Sequence, residues 1–102
     1  MAWANKDPDS KLDYVINWLP WLTMTDPITG LEVIDTIETD GSEWINVDDT
    51  DLVSEFEDHT DSTTTIWLSG GTDGTTYYLT NRITTDAGRI QDQTVKLKCK
   101  AR

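Results

Sequence analysis

Thr63-Thr64-Thr65-Ile66-Trp67-Leu68-Ser69, then Gly70-Gly71-Thr72-Asp73-Gly74, then Thr76-Tyr77-Tyr78-Leu79-Thr80-Asn81-Arg82-Ile83-Thr84 is the stretch that decides the fold. In its first part Thr64, Ile66 and Leu68 fall on one side and Thr65 and Trp67 on the other, the period of a half-buried strand. In its last part Tyr77, Leu79, Asn81 and Ile83 share one face, and Tyr78, Thr80 and Arg82 share the other. The loop between them places Gly70, Gly71 and Gly74 where the backbone needs positive φ. A second turn, Asp86-Ala87-Gly88, leads into residues 91–100. There Gln93, Val95, Leu97 and Cys99 point inward, and Thr94, Lys96, Lys98 and Lys100 point outward. A lysine row of this kind also blocks unwanted pairing when the strand lies at an edge. The pattern predicts that Ile66, Leu68, Leu79, Ile83, Val95 and Leu97 pack into one core.

Working back toward the N-terminus, residues 12–22 put Tyr14, Ile16 and Trp18 on one face at period two, and Pro20 ends that strand or confines it to an edge. All three prolines, Pro8, Pro20 and Pro27, lie in the first 27 residues, which are expected to be the least regular part. Residues 31–39 read as a strand, Asp40-Gly41 as a turn, and residues 44–47 as a short strand. Residues 48–51 read as a turn, 52–56 as a short strand or irregular link, and 57–61 as a polar loop. No helix of useful length, internal repeat or linker is visible. Residues 1–11 lack a periodic apolar face and read as an extended arm, leaving residues 12–102 as one domain. The expected architecture is an all-β antiparallel sandwich of about seven short strands.

The chain has 102 residues, of which 36% are hydrophobic. That is enough for one modest core and too little for a deep enclosed cleft, so an enzyme is not expected. Threonine is abundant and suits a pleated, half-exposed surface. The net charge of −11 argues against nucleic acid and against anionic lipid as partners. Residues 1–61 hold 16 acids against Lys6 and Lys11, whereas residues 62–102 hold three acids and six bases. Either the two halves interleave and neutralise each other, or the acidic side of one copy packs on the basic side of the next. Cys99 is the single cysteine, so no internal disulfide is expected, which suits synthesis in a reducing cytosol. Neither a signal peptide nor a membrane span is expected.

Two resemblances sharpen the reading. Gly74-Thr75-Thr76-Tyr77-Tyr78-Leu79-Thr80 resembles the opening of a late strand in immunoglobulin-like and fibronectin-type domains, and the turn at Ala87-Gly88 continues the similarity. The resemblance implies an immunoglobulin-like sandwich in which the Tyr77 hydroxyl bonds back to loop backbone as a tyrosine corner. The chain also resembles a family of small virion proteins of tailed bacteriophages, the fibre–tail adaptors. The matching pieces are Lys6-Asp7-Pro8-Asp9, Leu12-Asp13-Tyr14, Trp18 and Trp21-Leu22. Further on they are residues 66–72 (Ile-Trp-Leu-Ser-Gly-Gly-Thr), Gly74-Thr75-Thr76-Tyr77, Asn81-Arg82-Ile83-Thr84-Thr85 and Gly88-Arg89. This resemblance implies a non-enzymatic structural adaptor in several copies per particle, made in the host bacterial cytoplasm and residing in the virion. Its partners would be tail, fibre, portal or capsid proteins. A capsid decoration protein and a carbohydrate-binding module are the alternative readings.

Residue by residue, the acids at Asp48, Asp49 and Asp51 and at Glu55, Glu57, Asp58 and Asp61 read as a solvated surface. No glycine lies between Gly41 and Gly70 to turn a calcium loop of the helix–loop–helix kind. His59 is the only histidine, and an inward Cys99 reads as a buried, inert thiol, so neither a catalytic group nor a cofactor is expected. Among five tryptophans, Trp18 and Trp44 fit the core, and Trp67 points outward as a second buried layer or a binding anchor. Trp3 either tucks against the domain or anchors in a partner. The expected interface residues are Trp3, Lys6, Asp7, Pro8, Asp9 and Trp67, and the expected structural ones Tyr77, Gly70, Gly71, Gly74 and Gly88.

Overall fold

Alternating apolar residues fold the chain into strands and one helical turn in a computed structural model that describes residues 6, 10–45 and 51–100. In chain order these are β1 (Leu12–Asn17), the turn α1 (Leu19–Leu22), β2 (Thr23–Thr25), β3 (Glu32–Ile34), β4 (Ile37–Ile45), β5 (Leu52–His59), β6 (Thr63–Gly70), β7 (Thr76–Thr85) and β8 (Ile90–Lys98). One antiparallel sheet has the order β1–β6–β5 and the other β4–β7–β8, while β2 and β3 pair only with each other. With β1 and β4 to β8 taken as strands B to G, the orders are B–E–D and C–F–G, the arrangement of an immunoglobulin-type sandwich.

The six apolar residues expected to form one core are all fully buried, but they divide. Ile66, Leu68, Leu79 and Leu97 join Tyr14, Leu52, Tyr77 and Cys99 in one cluster. Ile83 and Val95 join Ile16, Trp18, Leu22 and Ile37 in another. Trp44 packs against both and bridges them. Between the clusters sits a buried polar node. Asn81 Oδ1 accepts from Trp18 Nε1 (3.0 Å) and Thr64 Oγ1 (2.8 Å), and Asn81 Nδ2 donates to Ser42 Oγ and the Glu43 carbonyl (both 3.1 Å). A buried amide is tolerable only when satisfied in this way. Burial, reinforced by Cys99 and Asp13, pushes the Tyr14 hydroxyl up to about 12, so it stays neutral inside the core.

The structure corrects three sequence expectations. Residues 31–39 are not one strand: the run breaks at Asp35-Thr36, where the chain leaves the β2–β3 hairpin and enters the sandwich. Asp40-Gly41 is not a turn between strands but a bulge inside β4. Asp40 there takes φ 59°, and a Cβ on Gly41 would lie 2.5 Å from the Thr84 carbonyl oxygen. Residues 57–59 are not loop: they continue β5 opposite Ile66, Thr65 and Thr64, because an edge strand tolerates exposed acids. The turn falls later, closed by Thr60 N–H donating to the Thr63 carbonyl (2.9 Å). The molecule extends 52 × 21 × 17 Å with a radius of gyration of 15.4 Å, against about 13 Å for a compact domain of this size.

Candidate functional site

The most exposed apolar surface lies on the β2–β3 hairpin. Its turn is built by Asp26: the backbone N–H of Ile28 donates to the carboxylate (2.8 Å), and that of Gly30 to the Asp26 carbonyl (2.8 Å). The register Thr23–Ile34, Met24–Val33, Thr25–Glu32 leaves Ile28 92%, Leu31 67%, Ile34 56% and Val33 44% exposed. Met24, Pro27 and Val33 line a shallow notch beside the turn. An isolated two-stranded hairpin is at best marginal in water, and this one is hydrogen-bonded to neither sheet of the sandwich. A site at this hairpin was not expected from the sequence. The signal was present in Asp26-Pro27-Ile28-Thr29-Gly30, a turn with an apolar residue at its tip.

What the hairpin has instead of sheet neighbours is a fixed root. Asp35, buried at the base of β3, accepts from the N–H of Thr36 (2.9 Å), the N–H of Ala87 (3.2 Å) and Arg89 Nε (3.0 Å). Burial raises its carboxyl, but hydrogen bonds from Thr85, Thr36, Arg89 and Ala87 outweigh it and hold the group below its ordinary value. The Arg89 guanidinium lies 4.0 Å from the Trp21 ring centroid, and Trp21 meets Trp18 edge-on at 5.8 Å. The hairpin is therefore tied to the β7–β8 turn at one end of the sandwich. Gly88 serves that turn with φ 84°.

At the other end are the loop of residues 70–74 and Lys6. The Tyr77 hydroxyl accepts from the Thr72 N–H at 2.8 Å. Gly70, Gly71 and Gly74 take φ of 75°, 101° and 81°. At Gly71 a Cβ would also lie 2.5 Å from Cys99 Sγ, so only glycine fits. Lys6 was expected to face a partner, and the structure corrects this. It is fully buried, its Nζ donates to the carbonyls of Ser10 and Gly70 (both 2.7 Å), and its backbone bridges β8's end through Lys98 O and Lys100 N. A buried ammonium requires such acceptors, and here they fasten the N-terminal segment to the domain. Trp3, Asp7, Pro8 and Asp9 lie outside the described residues.

A second exposed apolar surface is the outer face of β1–β6–β5. Asp13, Trp67 and Phe56 stand side by side across the three strands, and Trp67 and Phe56 are 37% and 58% exposed. Val15 and Val53 flank them. Among the described residues no group of three or more His, Cys, Asp or Glu is placed to hold a metal ion. His59 Nδ1 lies 2.8 Å from the Thr60 carbonyl, and Cys99 is a buried thiol just past the end of β8. What the described surface presents is exposed apolar area at an end and on a face of the sandwich.

No curated protein matches this sequence. A family model does: that of the podophage GP4 fiber-tail adaptor protein gp77, over residues 6–98. The match begins at Lys6, the residue that the fold buries, and it contains the Asn81 node, the Tyr77 hydroxyl contact and the Asp35–Arg89–Trp21 root. The chain belongs to this fibre–tail adaptor family of phage structural proteins.

Proposed function

We propose that this protein is a non-catalytic adaptor of a tailed-phage virion that joins fibre to tail components by protein–protein contacts at its two ends. The observation that carries this reading is the uncovered apolar hairpin at one end of an elongated body, in a chain of the fibre–tail adaptor family. Exposed apolar patches on a small soluble domain mark docking sites. A neighbouring virion protein with an apolar groove or an open sheet edge would cover Ile28, Leu31, Val33 and Ile34. At the other end the segment of residues 1–11, fastened at Lys6, reaches a second virion protein, with Trp3 as its anchor beside Asp7, Pro8 and Asp9. An arm of this kind spans about 3.3–3.6 Å per residue, so few residues suffice to reach a neighbour. The protein acts in several copies per particle.

The test is incorporation into particles. Replacing Ile28 and Leu31 together by Ser is expected to abolish stable attachment while leaving the melting temperature unchanged, because both side chains are exposed in the free protein. Deleting residues 2–5 is expected to weaken attachment separately. Normal incorporation of both variants would overturn the two-ended reading.

A further inference from the structure

The two outer faces of the sandwich differ in charge and in chemistry. On β1–β6–β5, Trp67 and Phe56 are ringed by Asp13, Glu55 and Asp58: Asp13 is directly beside Trp67, Asp58 pairs with Thr65, and Glu55 is the bulged residue whose Oε1 accepts from Ser69 Oγ at 2.6 Å. Among the described residues the cation paired with this ring is Lys11, 4.0 Å from Glu55 and exposed. On β4–β7–β8, Tyr78 is 59% exposed and stands beside Lys96, with Lys98 opposite Thr76 in the next row. Among the described residues no carboxylate forms an ion pair with Lys96 or Lys98, whereas Arg82 farther along the same face is held by Asp92 through two contacts (2.8 and 3.0 Å). In a chain of net charge −11 this lysine pair is a positive patch among the described residues.

We propose that the outer face of β1–β6–β5 in one copy docks on the Tyr78–Lys96–Lys98 face of a second copy. Carboxylates at Asp13, Glu55 and Asp58 meet the two ammonium groups, and Phe56 and Trp67 cover Tyr78, an aromatic arrangement that also receives lysine ammonium groups over ring faces. Each face is repelled by its own kind: acid would meet acid, or lysine would meet lysine. The contact is therefore head to tail, and every copy keeps one face of each type until a ring closes. Three strands at about 4.8 Å by eight residues at about 3.4 Å give a footprint of about 400 Å², half the roughly 800 Å² per partner of a standard interface. Pairwise association is thus weak, and it is sensitive to salt because the charges are exposed.

Sedimentation velocity on the free, full chain tests this without any other virion protein, so its outcome is independent of the adaptor reading. The mass is expected to rise with concentration at about 50 mM salt and to fall back to monomer at about 500 mM. Phe56→Ala/Trp67→Ala breaks one face and Lys96→Glu/Lys98→Glu the other. Each variant alone is expected to associate at least about tenfold more weakly than the parent, with the parent's far-ultraviolet circular dichroism as the check that it is folded. Mixed, the two retain one good face each and are expected to form a dimer that grows no further. A parent that stays monomeric at every concentration, variants that still associate, or a mixture that fails to dimerise would each overturn the proposal.

Discussion

The β6 and β7 strands, one at the centre of each sheet, and the β2–β3 hairpin are both rich in branched aliphatic residues, and they end in opposite environments. In β6–β7 the residues Ile66, Leu68, Leu79 and Ile83 have no exposed surface, and in β2–β3 Ile28, Leu31, Val33 and Ile34 keep 44–92% of theirs. The residue types do not differ; what differs is cover. β6 and β7 are the central strands of two facing sheets, whereas β2 and β3 leave the sandwich between β1 and β4 and, among the described strands, pair only with each other. Burial makes the first pair the source of stability. Its absence makes the second pair an element whose apolar surface contributes little to folding and is available for binding.

This contrast can be broken or sharpened by mutation. Leu79→Ala empties a fully buried site and is expected to cost about 2–5 kcal/mol in chemical denaturation. A loss below that range would mean the sandwich core is looser than the packing implies. At the hairpin root, Asp35→Asn is expected to cost about 1.5–3 kcal/mol near neutral pH, since it removes charge-assisted hydrogen bonds to a buried carboxylate. The folded carboxyl is held below its ordinary 3.8, so its contribution is full above that value and is lost as pH falls through the folded value. The gap between parent and variant should accordingly close in acid, and a gap that widens there would contradict the assigned role. Tyr77→Phe removes the acceptor for the Thr72 N–H and is expected to cost about 0.5–1.5 kcal/mol; an unchanged denaturation midpoint would remove the corner from the account. Ile28→Ser, at the uncovered tip, is expected to change stability by no more than about 0.5 kcal/mol.

Period two was enough to read the β6, β7 and β8 faces, because each of these strands has one side in water and one in the core. The same signal placed Tyr14, Ile16 and Trp18 inward. Where it failed, another force decided. Asp35 sits in an alternating run, yet its carboxylate is drawn to backbone donors 52 residues away at Ala87, a contact no local pattern contains. Asp40-Gly41 has the composition of a turn, and β7 beside it converts that composition into a bulge. Glu57, Asp58 and His59 look like loop because they are polar, but they lie on the open edge of a sheet. Lys6 looks like arm because it is charged, and two carbonyls 60 residues apart in sequence make its burial possible. The hairpin escapes the same signal for a related reason: period two implies a face to be covered, and the described structure leaves this one uncovered.

Hydrogen–deuterium exchange, measured on the free protein and on the same protein within intact particles, tests most directly whether the hairpin is a docking element. Core strands open only with global unfolding, whereas an uncovered hairpin opens locally. Amides of β6 and β7 are expected to be protected in both states, and amides of β2 and β3 to exchange fast in the free protein and slowly in the particle. Equal exchange of β2 and β3 in the two states would show that no neighbour covers the hairpin, and the central claim would be contradicted.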